Sequence, residues 1–139
     1  MDTTVYDKLY EVVELALTDF NAEHDYTVAL SHYAPNSPKY PLVVMSENRN
    51  QPQTRYYGRR EQVSSLGYTF ETYAKTVKTH TKLDICREIM QFITDFMQDT
   101  IGLNLISNNT FPNEGTQGEL CRNVLVFQKA HNDNKEYFF

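Results

Sequence analysis

One long alternating segment, residues 65–76, constrains the fold of this chain more than any other. Every second residue from Leu66 to Ala74 is mostly apolar. The residues of the other set, from Gly67 to Lys75, are mostly polar and include Glu71. Because successive side chains of a strand point to opposite faces of a sheet, this pattern predicts a long strand with one face against the core.

Two other segments show the three- and four-residue spacing of apolar side chains that is typical of amphipathic helices. The first predicted helix covers residues 4–22, and its apolar stripe contains Val5, Leu9, Val12, Val13, Ala16 and Phe20. The second covers residues 81–101, and its stripe contains Leu83, Ile85, Ile89, Phe92, Ile93, Phe96 and Ile101. We expect Thr81 and Asp84 to cap the start of this second helix, and Gly102 to end it.

Four shorter segments complete the predicted sheet, at residues 26–33, 41–46, 103–108 and 119–129. The predicted order of elements is therefore α-β-β-β-α-β-β, which is an α+β fold. Because most strands are neighbours in sequence, we expect an antiparallel or mixed sheet with both helices packed on one face. The whole chain, residues 1–139, is predicted to form one domain with a short flexible tail at about 131–139.

A long polar loop at about 46–64 separates the third predicted strand from the second. Loops longer than about 12–15 residues are uncommon in compact domains unless they are functional or disordered. Tyr and Arg are enriched at protein interfaces, which favours an arm that becomes ordered on contact with a partner. The predicted interface residues are Arg49, Arg55, Tyr56, Tyr57, Arg59 and Arg60.

The charge distribution supports contact between copies of the chain. The net charge is −5, yet residues 49–60 contain four Arg and no acid, while acids concentrate in the first helix and the C-terminal quarter. A basic loop on an acidic body suits electrostatic complementarity between neighbouring copies. Two alternatives are a solvated loop and an adaptor that binds nucleic acid through Arg49, Arg55, Arg59 and Arg60. The acidic net charge argues against the adaptor.

The sequence contains no recognisable catalytic set. It lacks a phosphate-binding glycine motif, and its four His lie far apart, so we expect no metal, no cofactor and no enzymatic activity. Cys86 and Cys121 each lie in an apolar run and are expected to be small buried residues. An alternative is a small cytoplasmic ligand-binding domain with a site formed by His32, Tyr33 and Tyr68.

No apolar run approaches the roughly 20 residues that a membrane helix needs, and the first residues lack the basic start of a signal peptide. We therefore expect a protein that is made in a reducing cytoplasm and does not interact with membranes.

The order of several motifs resembles the tail terminator proteins of long-tailed bacteriophages. These motifs are PLVVM at 41–45, a polar loop, Gly-Arg-Arg-Glu at 58–61 and SLGYTFETYAK at 65–75, followed by an amphipathic helix. The related head–tail joining and tail-completion proteins also have a strand with a Tyr-x-x-Glu-x-Tyr pattern, whose positions here are Tyr68, Glu71 and Tyr73. The resemblance covers roughly residues 5–130.

The resemblance implies a structural virion protein, made in the cytoplasm of a host bacterium, with no catalytic residues. Members form a ring, usually a hexamer, that caps the tail tube and docks to the head connector. The implied partners are further copies of the chain, the tail tube protein and the head-connector or neck protein, with DNA only passing through the lumen. A neck or head-completion protein of the same virion is the alternative within this class.

Overall fold

A computed structural model describes residues 3–36, 38–47, 51–52, 63–76, 80–115 and 117–132. It confirms the α+β fold and the order α-β-β-β-α-β-β, with one additional two-residue strand. The helices are α1 (Thr3–Ala22) and α2 (Lys82–Asp95), and α2 continues as a π-helical segment, Phe96–Ile101. The strands are β1 (Ala29–Ser31), β2 (Leu42–Glu47), β3 (Gln51–Pro52), β4 (Val63–Ala74), β5 (Asn104–Glu114) and β6 (Leu120–Asn132).

The sheet is mixed, in the order β1-β2-β4-β6-β5, with β3 paired to the start of β4. The central β4 pairs with β6 along its whole length, from Val63 opposite Asn132 to Ala74 opposite Cys121. All the pairs are antiparallel except β1 with β2, which are parallel. The parallel strands β1 and β2 are joined by residues 32–41, a shorter connection than parallel neighbours usually have.

One face of the sheet carries the core, and both helices pack on it as predicted. Tyr68, Phe70, Thr72 and Ala74 of β4 are all 0% exposed, which confirms the predicted core face of that strand. The main contributors from the other elements are Leu9, Val13, Leu17, Phe20, Val43, Met45, Ile85, Ile89, Ile93, Leu125 and Phe127. The opposite side of the sheet, which carries neither helix, is called the open face below.

Aromatic contacts and one hydrogen bond hold the two helices against this face. The Tyr6 ring of α1 stacks on Tyr68, with centroids 6.3 Å apart. Cys86 of α2 donates to the Cys121 carbonyl of β6 at 3.2 Å. Phe20 and Phe92 join the two helices, with ring centroids 4.9 Å apart.

The predicted caps of α2 are confirmed. The Thr81 hydroxyl accepts a hydrogen bond from the Asp84 backbone N–H at 3.2 Å, and Gly102 ends the helical region with a left-handed φ of 92°. A glycine adopts that φ without steric cost. Within the described ranges, neither helix is long and apolar enough to cross a membrane.

Several predicted boundaries are wrong. The first strand is only Ala29–Ser31, and the predicted loop at 46–64 contains β3 and overlaps the start of β4. Strand β5, which was predicted at residues 103–108, continues to Glu114. This extension includes Pro112, which is tolerated because β5 is an edge strand and its register shifts between Phe111 and Glu114.

Candidate functional site

The predicted interface residues lie outside the described part of the chain. These residues are Arg49, Arg55, Tyr56, Tyr57, Arg59 and Arg60. The strands that flank residues 53–62 in the sequence are neighbours in the sheet, because Pro52 of β3 pairs with Ser64 of β4.

The outer face of α1 forms an acidic stripe. Its members are Asp7, Lys8, Glu11, Glu14, Leu15 and Thr18, all of which are exposed, so the face carries three carboxylates and one Lys. They follow the helical repeat on the side opposite the buried Leu9, Val13 and Leu17. Leu15 is 69% exposed, and the acids of the stripe form no ion pair with any described residue. An apolar side chain among unpaired carboxylates is a surface that suits a basic, partly apolar partner.

The alternative site predicted from His32, Tyr33 and Tyr68 is only partly assembled. His32 stacks on Tyr10, with ring centroids 3.9 Å apart, and Tyr6 lies between His32 and Tyr68. Tyr33 is 69% exposed, and its hydrogen bonds are to Ser31. Tyr6 and Tyr10 flank the apolar stripe of α1, a position from which the sequence allows contact with either the core or a neighbouring subunit, and both pack against the core.

The hydrogen bonds of Tyr6 define the protonation of this cluster. The Tyr6 hydroxyl donates its one proton to the Met45 carbonyl at 2.8 Å, so the contact with His32 Nδ1 at 2.7 Å requires that the ring nitrogen donates. Burial, and after it the charges of Tyr10, Glu47 and Asp7, together raise the pKa of Tyr6 to about 12. The cluster therefore fixes α1 against β2 through a hydroxyl that stays protonated at neutral pH.

The open face carries an ion pair that crosses from β4 to β6. Arg122 donates to Glu71 Oε2 from Nη2 at 2.7 Å and from Nε at 3.1 Å, and Tyr73 donates to the same oxygen at 3.2 Å. The guanidinium lies over the Phe111 ring, 5.1 Å from its centroid. Its hydrogen bonds to Glu71 raise the pKa of Arg122. Of the three residues in the Tyr-x-x-Glu-x-Tyr pattern, Glu71 and Tyr73 belong to this face and Tyr68 to the core.

A half-open pocket of about 190 Å³ lies between α2 and the β5–β6 edge of the sheet. Its lining residues are Leu83, Cys86, Arg87, Met90, Asn108, Thr110 and Asn123. The four from α2 follow the helical repeat along one face, and Thr110 is paired directly with Asn123. This cavity is called the Asn123 pocket below.

The polar centre of the pocket is Asn123, which is 1% exposed. Its Nδ2 lies 2.9 Å from Asn108 Oδ1, 2.9 Å from Thr110 Oγ1 and 3.3 Å from the Asn109 carbonyl. Its Oδ1 is buried without a hydrogen-bond partner among the described residues. This site was not predicted from the sequence, where its signal is an Asn at a core-facing position of β6, between Cys121 and Leu125.

The two cysteines are buried, as predicted. Burial raises the pKa of the Cys86 thiol, and the neighbouring Cys121 raises it further, so the group remains a thiol at neutral pH and is a poor nucleophile. In the part of the chain that the structure covers, no group of three or more His, Cys, Asp or Glu is placed to hold a metal ion.

The sequence was also compared with known proteins. No family model matches the chain, and no characterised protein matches it.

Proposed function

We propose that this chain is a structural subunit of a long-tailed bacteriophage virion, which assembles into a ring, most simply a hexamer, that caps the tail tube and joins it to the head connector. The single observation that supports this function is the acidic stripe of α1, an exposed surface whose acids form no ion pair with any described residue and which is opposite in charge to residues 49–60. The motif order that resembles tail terminator proteins supplies the virion context.

A cyclic ring requires two different complementary patches on each subunit, because every interface joins one patch to the other. The acidic stripe provides one patch, with Leu15 as an apolar contact among the carboxylates. The stretch from Arg49 to Arg60 provides the other, with four guanidinium groups and two tyrosines. Charge complementarity of this kind favours the correct register and speeds association.

The same charge distribution suits a ring through which DNA passes. The net charge of −5 discourages stable contacts with phosphate groups. The ring partners in this proposal are the tail tube protein on one side and the head-connector or neck protein on the other. A neck or head-completion protein would use the same self-assembly, and a nucleic-acid adaptor would instead bind DNA in a strongly salt-dependent manner.

The experiment that tests the proposed interface is a charge reversal followed by its rescue. One variant carries Glu11→Lys and Glu14→Lys in the acidic stripe, a second carries Arg59→Glu and Arg60→Glu, and a third carries all four changes. The matched control is Asp95→Lys with Asp99→Lys, which changes two exposed acids at the end of α2 and in the π-helical segment. Light scattering measures the mass of each protein, alone and with tail tubes.

We expect each reversal alone to prevent assembly, because it brings like charges together at every interface of the ring. The four-residue variant restores opposite charges and is expected to assemble, and the control variant is expected to behave like the unmodified chain. Assembly that survives both single reversals would contradict the proposed contact. Binding to DNA that weakens steeply with salt would instead support the adaptor.

A further inference from the structure

We propose that the outer edge of strand β5 pairs with β5 of a second copy of this chain, so that the two sheets join antiparallel across a two-fold axis. The contact lies at residues 107–111, within Asn104–Glu114. It is isologous and closes at two copies, whereas the ring contact joins two different patches. The pairing therefore uses another surface than the acidic stripe and does not depend on the proposed function.

The two edges of the sheet differ in how their backbone groups are satisfied. The strand order leaves β1 at one edge and β5 at the other. At the β1 edge, the hydroxyl of Tyr10 donates to the Leu30 carbonyl at 3.2 Å, and the hydroxyl of Tyr6 donates to the Met45 carbonyl at 2.8 Å. Side chains of α1 therefore cover the β1 edge. The outer side of β5 has no partner strand among the described residues, and its backbone N–H and C=O groups are a template for strand pairing.

Strand β5 lacks the charged side chains that commonly prevent pairing at a sheet edge. Residues 100–113 form the longest stretch of the sequence without Asp, Glu, Lys or Arg. Proline and β-bulges are the other usual protection of an edge. Here Pro112 and the register shift between Leu105 and Ser107 lie towards the two ends of the strand. Residues 107–111, which lie between them, are therefore left without any of these devices.

The backbone of residues 107–111 is regular enough to accept a further strand. These residues pair one for one with β6, from Ser107 opposite Val126 to Phe111 opposite Arg122. Five residues is about the commonest length of a strand in globular proteins. Even spacing along the strand is what a new neighbour needs to form a ladder of hydrogen bonds. Addition of an extended segment to such an edge is a common mode of protein recognition.

The side chains of this stretch favour a second copy as the partner. Its polar residues are uncharged, so two copies meet there without like-charge repulsion, although each chain carries a net charge of −5. Ile106 and Phe111, which are 57% and 40% exposed, lie at opposite ends of the stretch. Antiparallel pairing brings the Ile106 end of each strand beside the Phe111 end of the other. The contact therefore covers exposed apolar side chains of both copies.

The test places charges on β5 in a protein that is unable to form the ring contact. The parent protein is the full chain with Glu11→Lys and Glu14→Lys, the reversal that is expected to prevent ring assembly. One variant adds Ser107→Lys and Asn109→Lys, and another adds Ser107→Glu and Asn109→Glu. Analytical ultracentrifugation measures the mass of each protein over a range of concentrations, singly and as an equimolar mixture of the two variants.

We expect the parent protein to form a dimer whose population rises with concentration. Each variant alone is expected to dimerise roughly tenfold more weakly, because like charges then face each other across the two-fold axis. The mixture is expected to restore the dimer, since Lys of one copy meets Glu of the other. This rescue requires that the same stretch of both copies is in contact.

The matched control adds Ala22→Lys and Thr27→Lys, at two exposed positions outside β5, and is expected to dimerise like the parent protein. Hydrogen exchange of the parent protein tests the contact without any change to β5, because the amides of residues 107–111 should exchange more slowly as the dimer forms. A parent protein that stays monomeric at every concentration would overturn the proposal. A dimer that the charges on β5 leave unchanged, or a mixture that stays monomeric, would overturn it as well.

Discussion

Arg122 and Glu71 lie on the open face of the sheet, where Nη2 and Nε of the guanidinium are 2.7 Å and 3.1 Å from the same carboxylate oxygen. The two side chains are only 29% and 27% exposed, so the pair is partly shielded from water. Because Arg122 pairs in register with Tyr73, Glu71 is its diagonal neighbour across β4 and β6. The ion pair therefore ties the two longest described strands together on the side opposite α1 and α2.

We expect a double-mutant cycle on Glu71 and Arg122 to show a measurable coupling energy. We expect Glu71→Ala and Arg122→Ala, alone and together, to give a coupling energy of roughly 0.5–1 kcal/mol, as is typical for a favourable cross-strand ion pair. Urea unfolding measures the free energy of each variant. A coupling energy of zero within error would contradict a stabilising role for this pair.

Thr72→Val is expected to stabilise the protein. The substitution keeps the shape of the side chain and removes a buried hydroxyl without a partner among the described residues, whose burial costs about 1–3 kcal/mol. Thr72→Ser is the control, since it keeps the hydroxyl but loses a buried methyl group, and it is expected to lower stability by about 1 kcal/mol. Thermal and urea unfolding report both changes. A loss of stability in Thr72→Val would show that the hydroxyl has a partner.

Stability is expected to fall at alkaline pH in a way that depends on Tyr6. An unfolded tyrosine has a pKa near 10, whereas burial raises the pKa of Tyr6 to about 12 in the folded protein. Between these values the unfolded chain loses this proton first, so the contribution is complete below about pH 10 and is lost as pH rises through about 12.

The variant that tests this effect is Tyr6→Phe, which cannot ionise. At neutral pH we expect it to be less stable by about 1 kcal/mol, because the Met45 carbonyl loses its donor. The difference from the unmodified chain should shrink between pH 10 and 12. Urea unfolding across this range measures the difference, with Tyr33→Phe, at an exposed position, as the control. A constant difference at all pH values would contradict the assignment.

Truncation of Phe127 should lower the free energy of unfolding more than truncation of Phe92, because Phe127 lies in the core and Phe92 at its edge. Phe127 is 0% exposed and packs edge-on against Phe70, so Phe127→Ala is expected to cost about 3–5 kcal/mol. Phe92 is only partly buried, so Phe92→Ala should cost less than that range. The free energies of unfolding in urea provide the comparison. Equal losses would mean that the contact of Phe92 with Phe20 contributes as much as full burial.

The features that could be predicted from sequence are those set by local periodicity and capping. The alternation of β4 correctly identified Tyr68, Phe70 and Ala74 as core residues. Thr81 and Gly102 mark the two ends of the second helical region, because a side-chain cap and a left-handed glycine act within a few residues of a helix end.

The features that could not be predicted depend on partners distant in sequence. The parallel pairing of β1 with β2 depends on where the chain returns, which no local pattern encodes. Strand β5 can extend past Pro112 because it is an edge strand, which pairs with β6 along one side only. The Asn123 pocket combines residues of α2, β5 and β6, so a polar residue at the core-facing position 123 of β6 was its local indication.

The central claim is that copies of this chain assemble into a ring at the end of a tail tube. Light scattering combined with negative-stain imaging of the purified protein, alone and mixed with tail tubes of the same phage, tests it most directly. We expect closed rings of one diameter, or protein bound only at tube ends. A protein that stays monomeric at every concentration and does not bind the tubes would contradict it.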